Sequence, residues 1–170
     1  MNKSHDKKNR QNVATEAEKF ATVAVSGGFD PVHIGHVRMF QEARKLGDKL
    51  VVILNNDNWL RKKKGFAFMP ELERKEIIEA LRGVDEVVVT SHPENPVDMS
   101  VCAELEKIHP DIFANGGDRT VQDSKNKSSS LSPEAVLCER LRIKMEFNVG
   151  RGGKIQSSSD LVRRVKDVHK

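Results

Sequence analysis

Residues 23–40, "VAVSGGFDPVHIGHVRMF", decide how this chain reads. The stretch begins as an apolar strand, turns through paired glycines, an acid and a proline, and continues as an amphipathic helix. Such a turn places free backbone N–H groups and a helix N-terminus at the carboxyl end of a strand, which makes an anion site. It is neither GxGxxG nor a P-loop with its Lys-Ser/Thr, so dinucleotide binding and Walker-type hydrolysis are disfavoured. His33 and His36 lie three apart at the start of the helix and point to one side, and Gly35 between them leaves room for close approach by a ligand. Two imidazoles beside a helix dipole can donate hydrogen bonds to phosphoryl oxygens whose negative charge rises during displacement at phosphorus. A metal pair is the other functional reading, but no nearby carboxylate or cysteine completes a zinc set.

Outward from this turn, short apolar runs alternate with helix-length amphipathic segments, the signature of βα units and a parallel sheet. Strands are expected at Thr22–Ser26, Leu50–Leu54, Glu86–Thr90, Asp111–Asn115 and Ile143–Asn148, with the Val/Ile content of strands covered on both faces. Helices are expected over Gly35–Leu46, Pro70–Leu81, Val97–Ile108, Ser132–Arg142 and from Ser159 to about Val168, with Gly47 and Gly83 as stops and Pro133 in a first turn. The fold class is therefore α/β, a Rossmann-like, right-handed, doubly wound sandwich on a five-stranded parallel sheet, with ligands at the carboxyl ends of the strands. Residues 1–20 read as a disordered tail, residues 21–170 as the domain, and "TVQDSKNKSSSL" over residues 120–131 as a mobile polar loop.

The 170 residues suffice for a core without disulfides or metals, and Cys102 and Cys138 fit no ligand spacing, so a reducing, cytoplasmic setting is expected. No signal-like or membrane-length apolar run occurs, and no membrane partner is expected. The net charge of +4 is modest, the basic residues are mixed with acids outside Arg61–Lys64, and there is one Trp and no Tyr, so no nucleic-acid partner is expected.

The run from Gly28 to His36, with "HIGH" inside it, resembles the HxGH nucleotidyltransferase superfamily, which includes the cytidylyltransferases and the class I aminoacyl-tRNA synthetases. The resemblance implies attack on the α-phosphorus of a nucleoside triphosphate with release of pyrophosphate. It further implies that His33 and His36 hold the triphosphate and stabilise the transition state, with Gly27, Gly28, Phe29, Asp30 and Gly35 framing the nucleotide.

Three further segments bear on the branch. "ILNNDNWLRKKKGFAFMPELERKEII", residues 53–78, carries a basic loop that reads either as a phosphate-neutralising edge or as a solvated face. Its spacing from Asp57 through Lys63 to Arg74 is similar to that of bacterial glycerol-3-phosphate cytidylyltransferases, which implies that Lys63 and Arg74 contact phosphates. "PDIFANGGDRT", residues 110–120, resembles the cytidylyltransferases and the ADP-heptose-forming nucleotidyltransferases. That likeness puts Asn115, Gly117, Asp118 and Arg119 against the nucleotide, and a plain αβ turn is the alternative. "GRGGKIQSSSDLVRRV", residues 150–165, ends in Ser157, Ser158 and Ser159 at a helix N-terminus suited to phosphate. It resembles the family's terminal serine/threonine motif but lacks the arginine-threonine-glutamate approach, with Arg151 or Lys154 as substitutes.

The expected enzyme transfers CMP from CTP, or second AMP from ATP, onto a phosphate monoester. Mg²⁺ is expected with the triphosphate, because the chain supplies little that could replace a divalent ion in neutralising pyrophosphate. No general base is required, since a phosphate monoester is already an anionic nucleophile at neutral pH. Glycerol phosphate, phosphoethanolamine, a sugar 1-phosphate and FMN all qualify as acceptor, and a homodimer is open because similar enzymes are commonly dimers. A synthetase-like, adenylate-forming enzyme is the second reading, disfavoured because only about ten residues follow the last motif. A nucleotide-binding regulator without turnover is the third.

Overall fold

The computed structural model describes residues 20–117, 120, 122, 126, 129, 131–150 and 156–168. The expected tail up to Lys19, Asp118, Arg119, most of the 120–131 segment, Arg151 and Lys154 lie outside the described residues. Five strands, β1 Thr22–Gly27, β2 Lys49–Leu54, β3 Glu86–Val89, β4 Ile112–Gly116 and β5 Lys144–Val149, form one parallel sheet in the order β3-β2-β1-β4-β5. The helices are α1 Ile34–Arg44, α2 Asp57–Lys64, α3 Glu71–Glu79, α4 Cys102–Ile108, α5 Ser132–Leu141 and α6 Ser158–Val168. No helix among them is long and apolar enough to cross a membrane.

The strands read as continuous apolar runs because both faces are covered. Val23, Val25, Val52 and Leu54 pack with Phe40 and Ala43 of α1 and Ile78 of α3, while Ala24, Ile53 and Phe113 face Leu105 of α4 and Leu137 and Cys138 of α5. The chain leaves β3 at one edge, crosses behind the sheet through α4 and enters β4 beside β1. The carboxyl end of β1 is thus the point where strand order reverses, the place where such sheets bind ligands.

Two expectations are corrected. The segment expected as a basic loop contains a helix, α2: the Asn56 side chain caps it by accepting from Trp59 N at 3.0 Å, and Gly65 ends it at φ 86°. Arg61 to Lys64 fall in its last turn, where cations complement the negative end of the dipole. The helix expected from Val97 begins only at Cys102, and Val97 is fully exposed. The preceding residues are tied instead to the start of α2: Asn56 N donates to Thr90 Oγ1 (3.0 Å), Asn56 Nδ2 to the His92 carbonyl (2.8 Å) and Trp59 Nε1 to the Met99 carbonyl (2.8 Å). Asp98 Oδ1 accepts from Ser100 N at 2.8 Å, a local turn that competes with helix.

Arg74 corrects a third expectation. The resemblance implies that it contacts phosphate, yet it is completely buried, with its guanidinium facing four protein groups. Nε donates to the Met69 carbonyl (2.9 Å), Nη1 to the carbonyls of Gly28 (2.6 Å) and Asn55 (2.8 Å), and Nη2 to Asp57 Oδ1 (2.6 Å). One planar cation therefore joins the β1 turn, the end of β2, the start of α2 and the approach to α3, a fan of donors that only Arg supplies. Arg74→Met should destabilise the fold by about 3–5 kcal/mol, because it strands a carboxylate and three carbonyls. Chemical denaturation of the variant beside the wild type measures this, and a loss no larger than that of an ordinary surface substitution would refute it.

Candidate active site

The turn after β1 is shaped by its own side chains before any ligand arrives. A Cβ on Gly27 would lie 2.8 Å from the Phe29 ring, one on Gly28 2.8 Å from Leu60 Cδ2, and one on Gly35 3.0 Å from His33 Cε1. The space at Gly35 that the sequence suggests for a ligand is taken by the His33 imidazole. Gly116 is likewise filled by Met39, whereas Gly117, at φ 74°, has nothing among the described residues within 4 Å of its Cβ position. Phe29 is buried and meets the rings of His36 and Phe40 edge-on, at 4.9 and 5.1 Å between centroids, anchoring the turn in the core.

His33 is the N-cap of α1. Its Nδ1 accepts from Gly35 N (3.1 Å), and His36 Nδ1 accepts from His33 N (3.3 Å), a reciprocal capping box made of two imidazoles. The rings stack, with centroids 3.6 Å apart and planes 19° from parallel. An Nδ1 that accepts leaves the proton of a neutral imidazole on Nε2, so the caps set the tautomer of both rings and each offers one N–H donor. Neutrality has a physical cause. Burial pushes the His36 pKa down to about 3, with help from neighbouring His33 and Lys64; burial also lowers that of His33, offset in part by its backbone hydrogen bond.

The N-terminus of α6 arrives at the same place. Ser158 Oγ donates to the Pro31 carbonyl at 3.0 Å, binding the serine segment to the β1 turn. Between them lies a cleft of about 350 Å³ lined by Asp30, Lys64, Phe66, Ser159, Val162 and Arg163. Ser157 is half-buried, and its carbonyl accepts from Asp160 N and Leu161 N in the first turn of α6. Arg163 pairs with Asp160 at 2.7 Å while its side chain stays largely exposed. Two helix N-termini and a half-buried lysine thus gather around the β1 turn, with the two neutral imidazoles at the start of α1, a set of groups that can hold a polyanion.

The structure brings together His33, His36, Asp30, Ser158 and Ser159 as the sequence suggests, and treats other expected residues differently. Lys63 is exposed on α2, whereas Lys64, which sequence reasoning passed over, lines the cleft; Lys64 lies one helical turn from fully buried Leu60 and so shares its inward side. The signal was present in the Asn56 cap and the Gly65 stop, which define the phase of α2. Asn115 is buried at the end of β4, with Nδ2 on the Phe113 carbonyl at 3.3 Å. Asn55, at the end of β2, was also missed; its buried Oδ1 has no hydrogen-bond partner among the described residues.

The His36 shift gives stability a pH dependence of definite sign. Unfolded chains take up a proton at His36 near its ordinary pKa of 6.5, folded ones only near 3, so the stability tied to the neutral ring is complete above pH 6.5 and lost as pH falls towards 3. The slope contributed approaches about 1.4 kcal/mol per pH unit. Denaturation midpoints from pH 7.5 to 5 should therefore fall more steeply for the wild type than for His36→Asn, and parallel curves would refute the buried neutral ring.

Comparison with known proteins places the chain in a family. Residues 24–164 match the family model described as cytidylyltransferase-like. The chain is 33% identical over 143 residues to a protein of Ferroglobus placidus named FAD synthase, covering 84% of this chain and 86% of that one. It is 36% identical over 149 residues to a Pyrococcus horikoshii protein of the same name, covering 86% and 93%. A lipopolysaccharide core biosynthesis protein from Thermoplasma volcanium shares the fold, with a TM-score of 0.59 and 24% identity over 76% of this chain and 95% of that one. With its HxGH turn at the strand-order reversal, the chain belongs to the cytidylyltransferase-like family and is a nucleotidyltransferase.

Proposed function

We propose that this enzyme transfers AMP from MgATP to FMN, yielding FAD and pyrophosphate. The observation that carries nucleotidyl transfer is the stacked, neutral His33–His36 pair at the N-terminus of α1, facing the strand-order reversal. The choice of substrates is supported by relatives named FAD synthase, matched over most of their length. FAD is FMN joined to AMP through a pyrophosphate bridge, so that product requires an adenylyl donor. ATP is accordingly favoured over the CTP expected from the sequence.

In this reading a phosphate oxygen of FMN attacks the α-phosphorus of ATP. The new P–O bond forms as the bond to the bridging oxygen breaks, and pyrophosphate departs with the electron pair. The acceptor phosphate is already ionised, so no residue need remove a proton. Nε2–H of His33 and of His36 donate to phosphate oxygens as charge builds there, a contribution available without reorganisation because capping fixes both rings. Lys64, Ser159 and the N-terminus of α6 face the departing β- and γ-phosphates in the cleft. Among the described residues no group of three or more His, Cys, Asp or Glu is placed to hold a metal, and magnesium would enter bound to the triphosphate, as part of the substrate.

Neutral histidines suit this task. A neutral donor stabilises charge that develops in the transition state without binding the ground-state polyanion so tightly that the advantage is lost. Purified protein with Mg²⁺, ATP and FMN should form FAD and pyrophosphate in equal amounts, with CTP and other phosphate monoesters well behind. Pyrophosphate release from another donor–acceptor pair and none from this one would refute the substrate assignment while leaving the transferase intact. His36→Asn, which keeps a hydrogen-bond acceptor for His33 N, should lower kcat by roughly 10²-fold or more. Unchanged turnover would remove His36 from the chemistry.

A further inference from the structure

A buried carboxylate stands beside the cleft assigned to the triphosphate, where its charge would repel the ligand. Asp30 is 1% exposed, and its carboxylate is turned to the protein: Oδ2 accepts from Phe68 N at 2.8 Å and Oδ1 from Met69 N at 2.7 Å. Its backbone carbonyl accepts from Lys64 Nζ at 3.3 Å. Phe68 and Met69 close the segment between α2 and α3, which supplies Phe66 to the cleft and follows directly on Lys64, the last residue of α2. That segment leaves α2 through Gly65, at φ 86°, whose N–H donates to the Arg61 carbonyl at 2.8 Å. Its far end is gripped on both sides of one residue, since Met69 N donates to Asp30 while the Met69 carbonyl accepts from Arg74.

We propose that Asp30 is a positioning residue: it latches the segment between α2 and α3 onto the β1 turn and so holds the Lys64 ammonium and the Phe66 wall in the cleft. Two adjacent backbone N–H groups require two acceptor oxygens at carboxylate spacing. An asparagine offers one oxygen and turns an NH₂ group against the second donor. Asp30 therefore acts on the triphosphate through Lys64, and its negative charge is tolerated because the loop amides and the ammonium surround it. Burial, with help from the Arg74 charge, holds the Lys64 pKa below its usual value, and the Asp30 charge opposes that shift.

The inference rests on the triphosphate lying in this cleft and is independent of which acceptor is used. Its test is a double-mutant cycle on kcat/KM for ATP with Asp30→Asn, Lys64→Met and the pair, each compared with wild type, whose own turnover shows whether the substrate reading holds. Each single variant should lose about tenfold or more, with the Asp30→Asn loss mainly in KM for ATP, and the pair should fall within about twofold of Lys64→Met alone. Losses that multiply would overturn the latch, because a merely structural weakening has no reason to vanish when Lys64 is absent. If Asp30→Asn does not fold, amide hydrogen exchange on the wild type decides. Phe68 and Met69 should exchange at least about 10²-fold more slowly than Ala67, and equal rates would overturn the proposal.

Discussion

The rest of the site depends on one buried cation. Arg74 reaches from α3 to the carbonyls of Gly28, Asn55 and Met69 and to the carboxylate of Asp57, so three loops at the carboxyl edge of the sheet are referred to one guanidinium. Desolvating a charge is expensive, and an unpaired one would not be tolerated there. The expense is offset because each of these carbonyls would otherwise be a polar group at a crowded strand end, short of donors. Rigid planar geometry also transmits position: if the β1 turn shifted, the end of β2 and the start of α2 would have to shift with it.

On that base the two histidines are arranged as dipoles. Their Nδ1 atoms are spent on capping, their rings are stacked, and burial together with nearby cationic charge keeps them neutral. Neutral N–H donors, two helix N-termini and one half-buried lysine make a field that is positive but distributed. Such a field holds a polyanion through several fixed partners, and those nearest the reacting phosphorus gain most as charge develops. A single strongly charged group would bind ground and transition states more nearly alike.

The placement of β1 in the middle of the sheet gives the two ends of this field different neighbours. On one side stand β4 and α6, whose Ser158 is tied to the β1 turn; on the other stand β2 and α2, with buried Asn55 and half-buried Trp59. A nucleotidyltransferase needs a donor and an acceptor at one phosphorus, and a reversal of strand order supplies two approaches.

Much of this was legible in the chain itself. Five apolar runs and the amphipathic segments between them specify a parallel sheet with helices on both faces, because burial on two faces leaves a local and periodic mark. The HxGH turn is local too, since the capping of α1 by His33 and the pairing with His36 span four residues, and the two histidines therefore read correctly as neighbours on one side. Tertiary structure decided what local pattern cannot carry. The Asn56 cap and the Gly65 stop mark α2 in sequence, but the packing of its Leu60 side into the core is what brings Lys64 rather than Lys63 to the cleft. By resemblance Arg74 reads as a phosphate contact until the ends of β1 and β2 close around it, and Asp30 as part of the nucleotide frame until the amides of Phe68 and Met69 reach its oxygens. The chain alone thus determined the five strands and the turn after β1 that joins the first of them to α1. The closure of loops tens of residues apart determined which charges face the ligand and which are used to hold those loops, because such a choice depends on which donors and acceptors meet when the chain is compact.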